Sequence, residues 1–182
     1  VGVQTLSLAG KSAEVWYPAP EATAEEPGEE VSFDAYIPGS VQALLGDVSL
    51  GSVPSIAVRD APLRETGLAL PVLVFSHGFG GTRTQSVSLT SHLASRGYIV
   101  VAVEHDGRSL PDILPCLFLP PAEGCDLGGF LGDPGEADVP ALLDALAAAY
   151  DDEESPLFAR LDLQRVGLFG HSAGGNTTTS VA

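Results

Sequence analysis

The chain has 182 residues, with 8 Lys+Arg against 24 Asp+Glu, a formal charge of −16 and 45% apolar residues. That is one domain's length with enough apolar material for a sizeable core, which excludes the disordered, collagenous and fibrous classes. The acidic surplus makes nucleic acid and anionic membrane surfaces poor partners, because both recruit Lys and Arg, and no run approaches the roughly 18 to 20 apolar residues of a membrane span.

Residues 1 to 17 alternate apolar and polar in VQTLSL and AEVWY, which predicts two antiparallel strands turning at Ala9-Gly10. From Pro20 to Glu30 the chain carries Glu21, Glu25, Glu26, Glu29 and Glu30 with two prolines and a glycine, a composition that stays in water as an acidic loop. Residues 31 to 66 give only a short helix near Val41 to Leu45. The pattern sharpens at Pro71, where VLVFS is a continuous apolar run of the kind found in parallel strands covered on both faces. Thr84 is expected to cap a helix bearing Leu89, Leu93 and Ala94, with Gly97 at its left-handed C-terminal stop. YIVVAV follows as a second buried strand, so strand, helix and strand form a βαβ unit with a parallel sheet.

Residues 107 to 135 are rich in Pro and Gly and too irregular for an ordinary connection, which marks an insertion. Within it, Cys116 and Cys125 are close enough to bridge in an oxidising compartment, the alternative being two unrelated buried thiols. A bridge would fit a secreted or periplasmic protein, reduced thiols a cytoplasmic one. The insertion's apolar clusters, Ile113-Leu114, Leu117-Phe118-Leu119 and Phe130-Leu131, suit either a lid over an acyl pocket or a small satellite core. Asp138 is expected to open a helix carrying Val139, Leu142, Leu143, Leu146 and Tyr150, with Pro140 in its first turn. RVGLFG then supplies a third buried strand.

That strand runs into Gly170-His171-Ser172-Ala173-Gly174, a G-x-S-x-G match. Composition alone predicts about 0.2 chance matches in such a chain, so context must decide. The required context is a strand before the motif and a helix after it, because the serine has to stand on a strained turn above the sheet. Both glycines are needed where neighbouring backbones come close. A second signal, His77-Gly78-Phe79-Gly80-Gly81, follows the VLVFS strand at the position where the other oxyanion donor of such sites is found. The amides of Phe79 and Ala173 are then expected to face a developing oxyanion. His105 and Asp106 end the second buried strand on the same face and could orient substrate, although buried His and Asp more often satisfy neighbouring groups. His77 is expected to hold its loop, His92 to lie on a helix surface and His171 to pack away from the substrate side. No His or Cys spacing suggests a metal site, and this chemistry needs no cofactor.

Phe75-Ser76-His77-Gly78-x-Gly80, Arg83-Thr84, Leu93-Ala94-Ser95-x-Gly97, Ile99-Val100 and Ala102-Val103-Glu104-His105, with Leu161-Asp162 through Gly175 and Trp16-Tyr17-Pro18, resemble the platelet-activating factor acetylhydrolases and their bacterial dienelactone-hydrolase-like relatives. The resemblance implies an α/β-hydrolase fold, a mostly parallel sheet with helices on both faces. It also implies calcium-independent cleavage of short-acyl or lipid esters by a Ser-His-Asp triad, with Ser172 as nucleophile and Phe79 and Ala173 forming the oxyanion hole. In that fold the triad runs Ser, acid, His, yet the ten residues after Ser172 hold no Asp, Glu or His. Residues 1–182 are therefore expected to be the N-terminal portion of one hydrolase domain. The acid and the histidine should lie beyond Ala182, and a start upstream of Val1 is expected because the chain has no Met. A serine lacking its base is a weak nucleophile, so the chain alone should be inactive. The other readings are a cutinase-like polyester hydrolase, with the same triad and an open cleft, and a noncatalytic hydrolase-like binding module.

Overall fold

The computed structural model describes residues 1–120 and 135–182. The opening hairpin forms as its alternation predicts. Strand β1 (Gly2–Leu8) pairs antiparallel with β2 (Lys11–Tyr17) in a register that puts Leu8 opposite Lys11, leaving a two-residue turn at Ala9 and Gly10. Both turn residues have positive φ, 53° and 73°, the geometry that matches the twist of the flanking strands.

The acidic stretch is exposed through Glu26, apart from a 3-10 turn at Glu21–Glu25 that buries Thr23. It departs from a purely solvated loop at Glu29, whose backbone bonds Ala57 and Ser55 and whose carboxylate accepts two hydrogen bonds from Arg59. The region without sequence signal contains strands β3 (Glu30–Ser32), β4 (Ser52–Pro54) and β5 (Val58–Arg59) and the expected short helix, α1 (Gly39–Leu45).

The sheet's centre is built from the apolar runs. Strand β6 (Leu70–Ser76) and β7 (Ile99–Val103) are parallel and joined by helix α2 (Val87–Ser95). All five residues of β7 are at most 1% exposed, so this strand is covered on both faces; burying a side chain of this size contributes about 1.5–3 kcal/mol. Thr84 is not the cap of α2. The helix starts two residues later, because the Thr84 hydroxyl is buried and bonded to Tyr36 Oη and Thr82 Oγ1, both at 3.1 Å. Gly97 does take the left-handed conformation, φ +97°.

After β7, helix α3 (Leu110–Phe118) occupies the first part of the insertion, its start fixed by the Asp112 carboxylate, which accepts from the Ser109 backbone N–H at 3.0 Å. Cys116 lies on α3. Cys125 and Phe130-Leu131 fall outside the described residues, and with them the expected bridge and part of the expected apolar lid. Helix α4 (Gly135–Asp151) begins three residues before Asp138, so Pro140 sits beyond the first turn and forgoes a backbone hydrogen bond. Strand β8 (Leu161–Gly170) runs parallel to β6, and helix α5 (Ala173–Val181) follows after two residues.

The six-stranded order is β5-β1-β2-β7-β6-β8. Alternation along the strands makes two cores. Val15, Val74, Ile99 and Val101 pack with Leu142 and Leu146 of α4 on one face, while Trp16, Phe75, Val100 and Ala102 pack with Val87 and Ala94 of α2 on the other. Helices thus cover both faces of a mixed, centrally parallel sheet. Among the described residues no helix is long and apolar enough to cross a membrane.

Candidate active site

The carboxyl ends of β6, β7 and β8 converge on one rim of the sheet, the side where open α/β sheets collect ligands. At the end of β8 the chain turns sharply at Ser172, with φ 53° and ψ −119°. This is a non-glycine residue in a region that costs about 1–3 kcal/mol. The side chain is exposed. The turn's crowding explains its glycines: a Cβ on Gly174 would lie 2.0 Å from the Ser76 carbonyl oxygen, and one on Gly170 would lie 2.4 Å from the Gly174 carbonyl. Helix α5 therefore starts hard against the end of β6. As its first residue, Ala173 carries one of the amides that has no intrahelical acceptor.

The glycine-rich loop meets this turn directly. A Cβ on Gly78 would sit 3.1 Å from His171 Nδ1 and 3.3 Å from Ser172 Cβ, so loop and turn are in contact across the rim. Gly80 takes φ +69° and donates its N–H to the Arg108 carbonyl at 2.7 Å, while Gly81 accepts from Leu110 N–H at 2.7 Å. Gln85 bridges the two halves: its Oε1 accepts from Gly78 N–H at 3.0 Å and its Nε2 lies 3.3 Å from His171 Nδ1. Phe79, 37% exposed, stands on the open side of the loop. The exposed Ser172 hydroxyl and the glycine-rich loop thus share one side of the rim.

The remaining histidines divide by environment. His77 is fully buried; its Nδ1–H donates to the Gly78 carbonyl at 2.8 Å and its Nε2 accepts the His105 backbone N–H at 3.0 Å. Burial, reinforced by His105 and Arg108, pushes its pKa down to about 3, so it holds the loop as a neutral ring. His92 is on the exposed side of α2. His171, expected to pack, is exposed instead, because the loop backbone at Gly78 occupies the space beneath it. Asp106 is exposed and paired with Lys11 Nζ at 2.5 Å.

His105 is buried, with Nε2 2.8 Å from Ser76 Oγ and Nδ1 2.8 Å from Asp138 Oδ2. Sequence reasoning did not anticipate this second Ser-His-Asp chain. Its hydrogen bonds resemble those of a catalytic triad, but Ser76 is 0% exposed and ends a regular strand, so no substrate carbonyl reaches it. Burial raises the Asp138 carboxyl, but the His105 hydrogen bond and the Lys11 charge outweigh this and hold it below the usual carboxylate range. The only sequence signal was position: Ser76-His77 and Glu104-His105 interrupt apolar runs at their carboxyl ends.

A cleft of ≈ 700 Å³ opens away from Ser172, over Glu14, Arg59, Arg83 and Glu104. These four charges are already mutually paired. Glu14, 1% exposed, is clamped between Arg59 and Arg83, and Arg83 also donates to Glu104 at 2.9 Å. Burial nonetheless pushes the Glu104 carboxyl up, against the pull of Arg83. Among the described residues no three His, Cys, Asp or Glu side chains are grouped to hold a metal ion.

A family model described as platelet-activating factor acetylhydrolase, isoform II, matches residues 10–112. The platelet-activating factor acetylhydrolases of Canis lupus familiaris and Bos taurus are 48% and 47% identical over 60 residues, which cover 32% of this chain and 13% of each relative. Among solved structures, a ferulic acid esterase from Streptomyces cinnamoneus is 26% identical with a TM-score of 0.57, covering 99% of this chain and 54% of the esterase. A puromycin-hydrolyzing peptidase from Mycobacterium tuberculosis, 21% identical with a TM-score of 0.50 over 98% of this chain and 20% of its own, shares the fold. The chain thus spans about half the length of the esterase, and the architecture is that of the α/β-hydrolases. With a family match that takes in more than half of its residues, the chain belongs to the platelet-activating factor acetylhydrolase isoform II family of hydrolases.

Proposed function

We propose that this chain carries the nucleophile and the oxyanion hole of a serine hydrolase that cleaves carboxylic esters of small-molecule or lipid substrates. Ser172 Oγ attacks the acyl carbon, its proton passes to a histidine, and the carbonyl oxygen becomes an oxyanion held by the amides of Phe79 and Ala173. The histidine then protonates the departing alkoxide, leaving an acyl-enzyme that water hydrolyses by the same route. The acid and the histidine belong to the part of the domain beyond Ala182, in the order Ser, acid, His, and residues 1–182 alone are inactive. A Cys116–Cys125 bridge would fit a secreted or periplasmic setting, and reduced thiols a cytoplasmic one.

The observation that carries this reading is the backbone of Ser172, an exposed hydroxyl on a left-handed turn between β8 and α5, against which the Gly78 loop is pressed. A fluorophosphonate probe tests it on the full-length protein. Labelling at Ser172 that disappears in Ser172→Ala, together with loss of hydrolysis of p-nitrophenyl acetate by about 10³-fold or more, is expected. A folded full-length protein that hydrolyses the ester without labelling at Ser172 contradicts the assignment. One that neither labels nor hydrolyses it is a noncatalytic binding module. A second reading of the acyl group comes from the Streptomyces esterase, which matches 99% of this chain. Hydrolysis of methyl ferulate in preference to the acetyl ester would favour aromatic acyl groups, and release of soluble products from a polyester film would favour a cutinase-like role.

A further inference from the structure

We infer that Arg108 is the positioning residue that sets the distance between the two oxyanion donors, an inference that rests on the reading of Phe79 and Ala173 given above. Arg108 is 1% exposed. Its Nη2 donates to Ser76 Oγ and its Nη1 to Thr177 Oγ1, both at 2.9 Å. Its carbonyl accepts the Gly80 N–H at 2.7 Å. Thr177 Oγ1 in turn donates to the Ala173 carbonyl at 3.1 Å. One residue therefore grips the glycine-rich loop next to Phe79 by its main chain and, through Thr177, the first turn of α5 at Ala173 by its side chain.

The direction of every proton in this cluster follows from the guanidinium, which can only donate. Ser76 Oγ, receiving from Arg108, gives its own proton to His105 Nε2, and His105 Nδ1–H goes to Asp138. At its far end this chain reaches the Asp138 carboxylate, three hydrogen bonds from the guanidinium, and its likeness to a triad follows from the same donor and acceptor order.

Arg108→Lys keeps a charge but cannot span Ser76 and Thr177 together, since an ammonium is a point donor and the guanidinium a planar fork. In the full-length enzyme this variant should lower kcat on p-nitrophenyl acetate by about 10- to 100-fold with KM within about twofold, because an interaction is lost only in the transition state. The Ki of a trifluoromethyl ketone, whose hemiketal oxyanion needs the same donors, should rise by a similar factor. Thr177→Val cuts only the link to α5 and should give a smaller fall in kcat, about 5- to 10-fold, with KM again unchanged. If Arg108→Lys does not fold, as judged by circular dichroism and thermal melting, Thr177→Val decides by the same criteria. A folded variant with unchanged kcat and Ki, or with only KM altered, overturns the inference. Ser172→Ala, run in parallel, separates the two levels: if it stays active the reading of the site itself fails, whereas an inactive Ser172→Ala beside a normal Arg108→Lys removes Arg108 alone.

Discussion

Two serines and two buried histidines share one sheet rim, and their surroundings assign them opposite work. Ser172 is strained and exposed, while Ser76 is relaxed and sealed in. His77 accepts a backbone N–H through Nε2, a bond that a protonated ring cannot make. With an ordinary value of 6.5 and a folded value of about 3, the unfolded chain takes up a proton that the folded chain refuses throughout that interval. Stability from this group is therefore complete above pH 6.5 and falls as pH drops toward 3, by at most about 1.4 kcal/mol per unit. Urea unfolding between pH 4 and 6.5 should show a shallower fall for His77→Gln than for the native chain; equal slopes would contradict the assignment of His77 as a buried neutral ring. The two glycine motifs were legible in the sequence because main-chain crowding leaves a residue signature: only Gly fits at positions 170 and 174. The cluster of Ser76, His105, Arg108 and Asp138 was not legible, since its hydrogen-bonded partners are 29 to 33 positions apart and a buried polar network imposes no spacing.

At the level of elements, the runs that face two cores announced themselves and the edges did not. VLVFS and YIVVAV formed parallel strands because burial on both faces demands unbroken apolar sequence, whereas RVGLFG is parallel but not the buried strand expected: it lies in the sheet's edge strand, with Arg165 and Val166 exposed and the rest half-buried. Strands β3 to β5, two or three residues each and mostly exposed, carry too little periodicity to read. Helix starts were misjudged where a polar group had a tertiary partner: Thr84 was claimed by Tyr36 and Asp138 by His105, so neither hydroxyl nor carboxylate was left to cap. The opening hairpin holds one local conflict. Ala9 takes φ 53° in a two-residue turn, where Asn-Gly is the favoured pair. Ala9→Asn should stabilise the chain by about 0.5–1 kcal/mol, raising the thermal midpoint by a few degrees; a lowered midpoint would mean that the turn is not of this type.

For the molecule as a whole, the acidic surplus is sharpened by where the bases have gone. Of the eight Lys and Arg, Lys11, Arg59, Arg83, Arg160 and Arg165 are held in ion pairs and Arg108 is buried. Little positive charge is left to face outward, so the field beyond the surface is negative over distances up to roughly a Debye length, about 8 to 10 Å in physiological salt. With the full-length enzyme, turnover of an ester embedded in phosphatidylserine vesicles should rise with added sodium chloride, while turnover of the same ester in phosphatidylcholine vesicles should stay flat; a fall with salt on the anionic vesicles would overturn this. The internal pairing of arginines with Glu14 and Glu104 thus reaches beyond stability. By keeping cations out of contact with headgroups, it leaves this part of the protein without electrostatic adhesion to an anionic bilayer, so that under the proposed ester hydrolysis a lipid substrate would meet this surface by apolar contact or as molecules that have already left the aggregate.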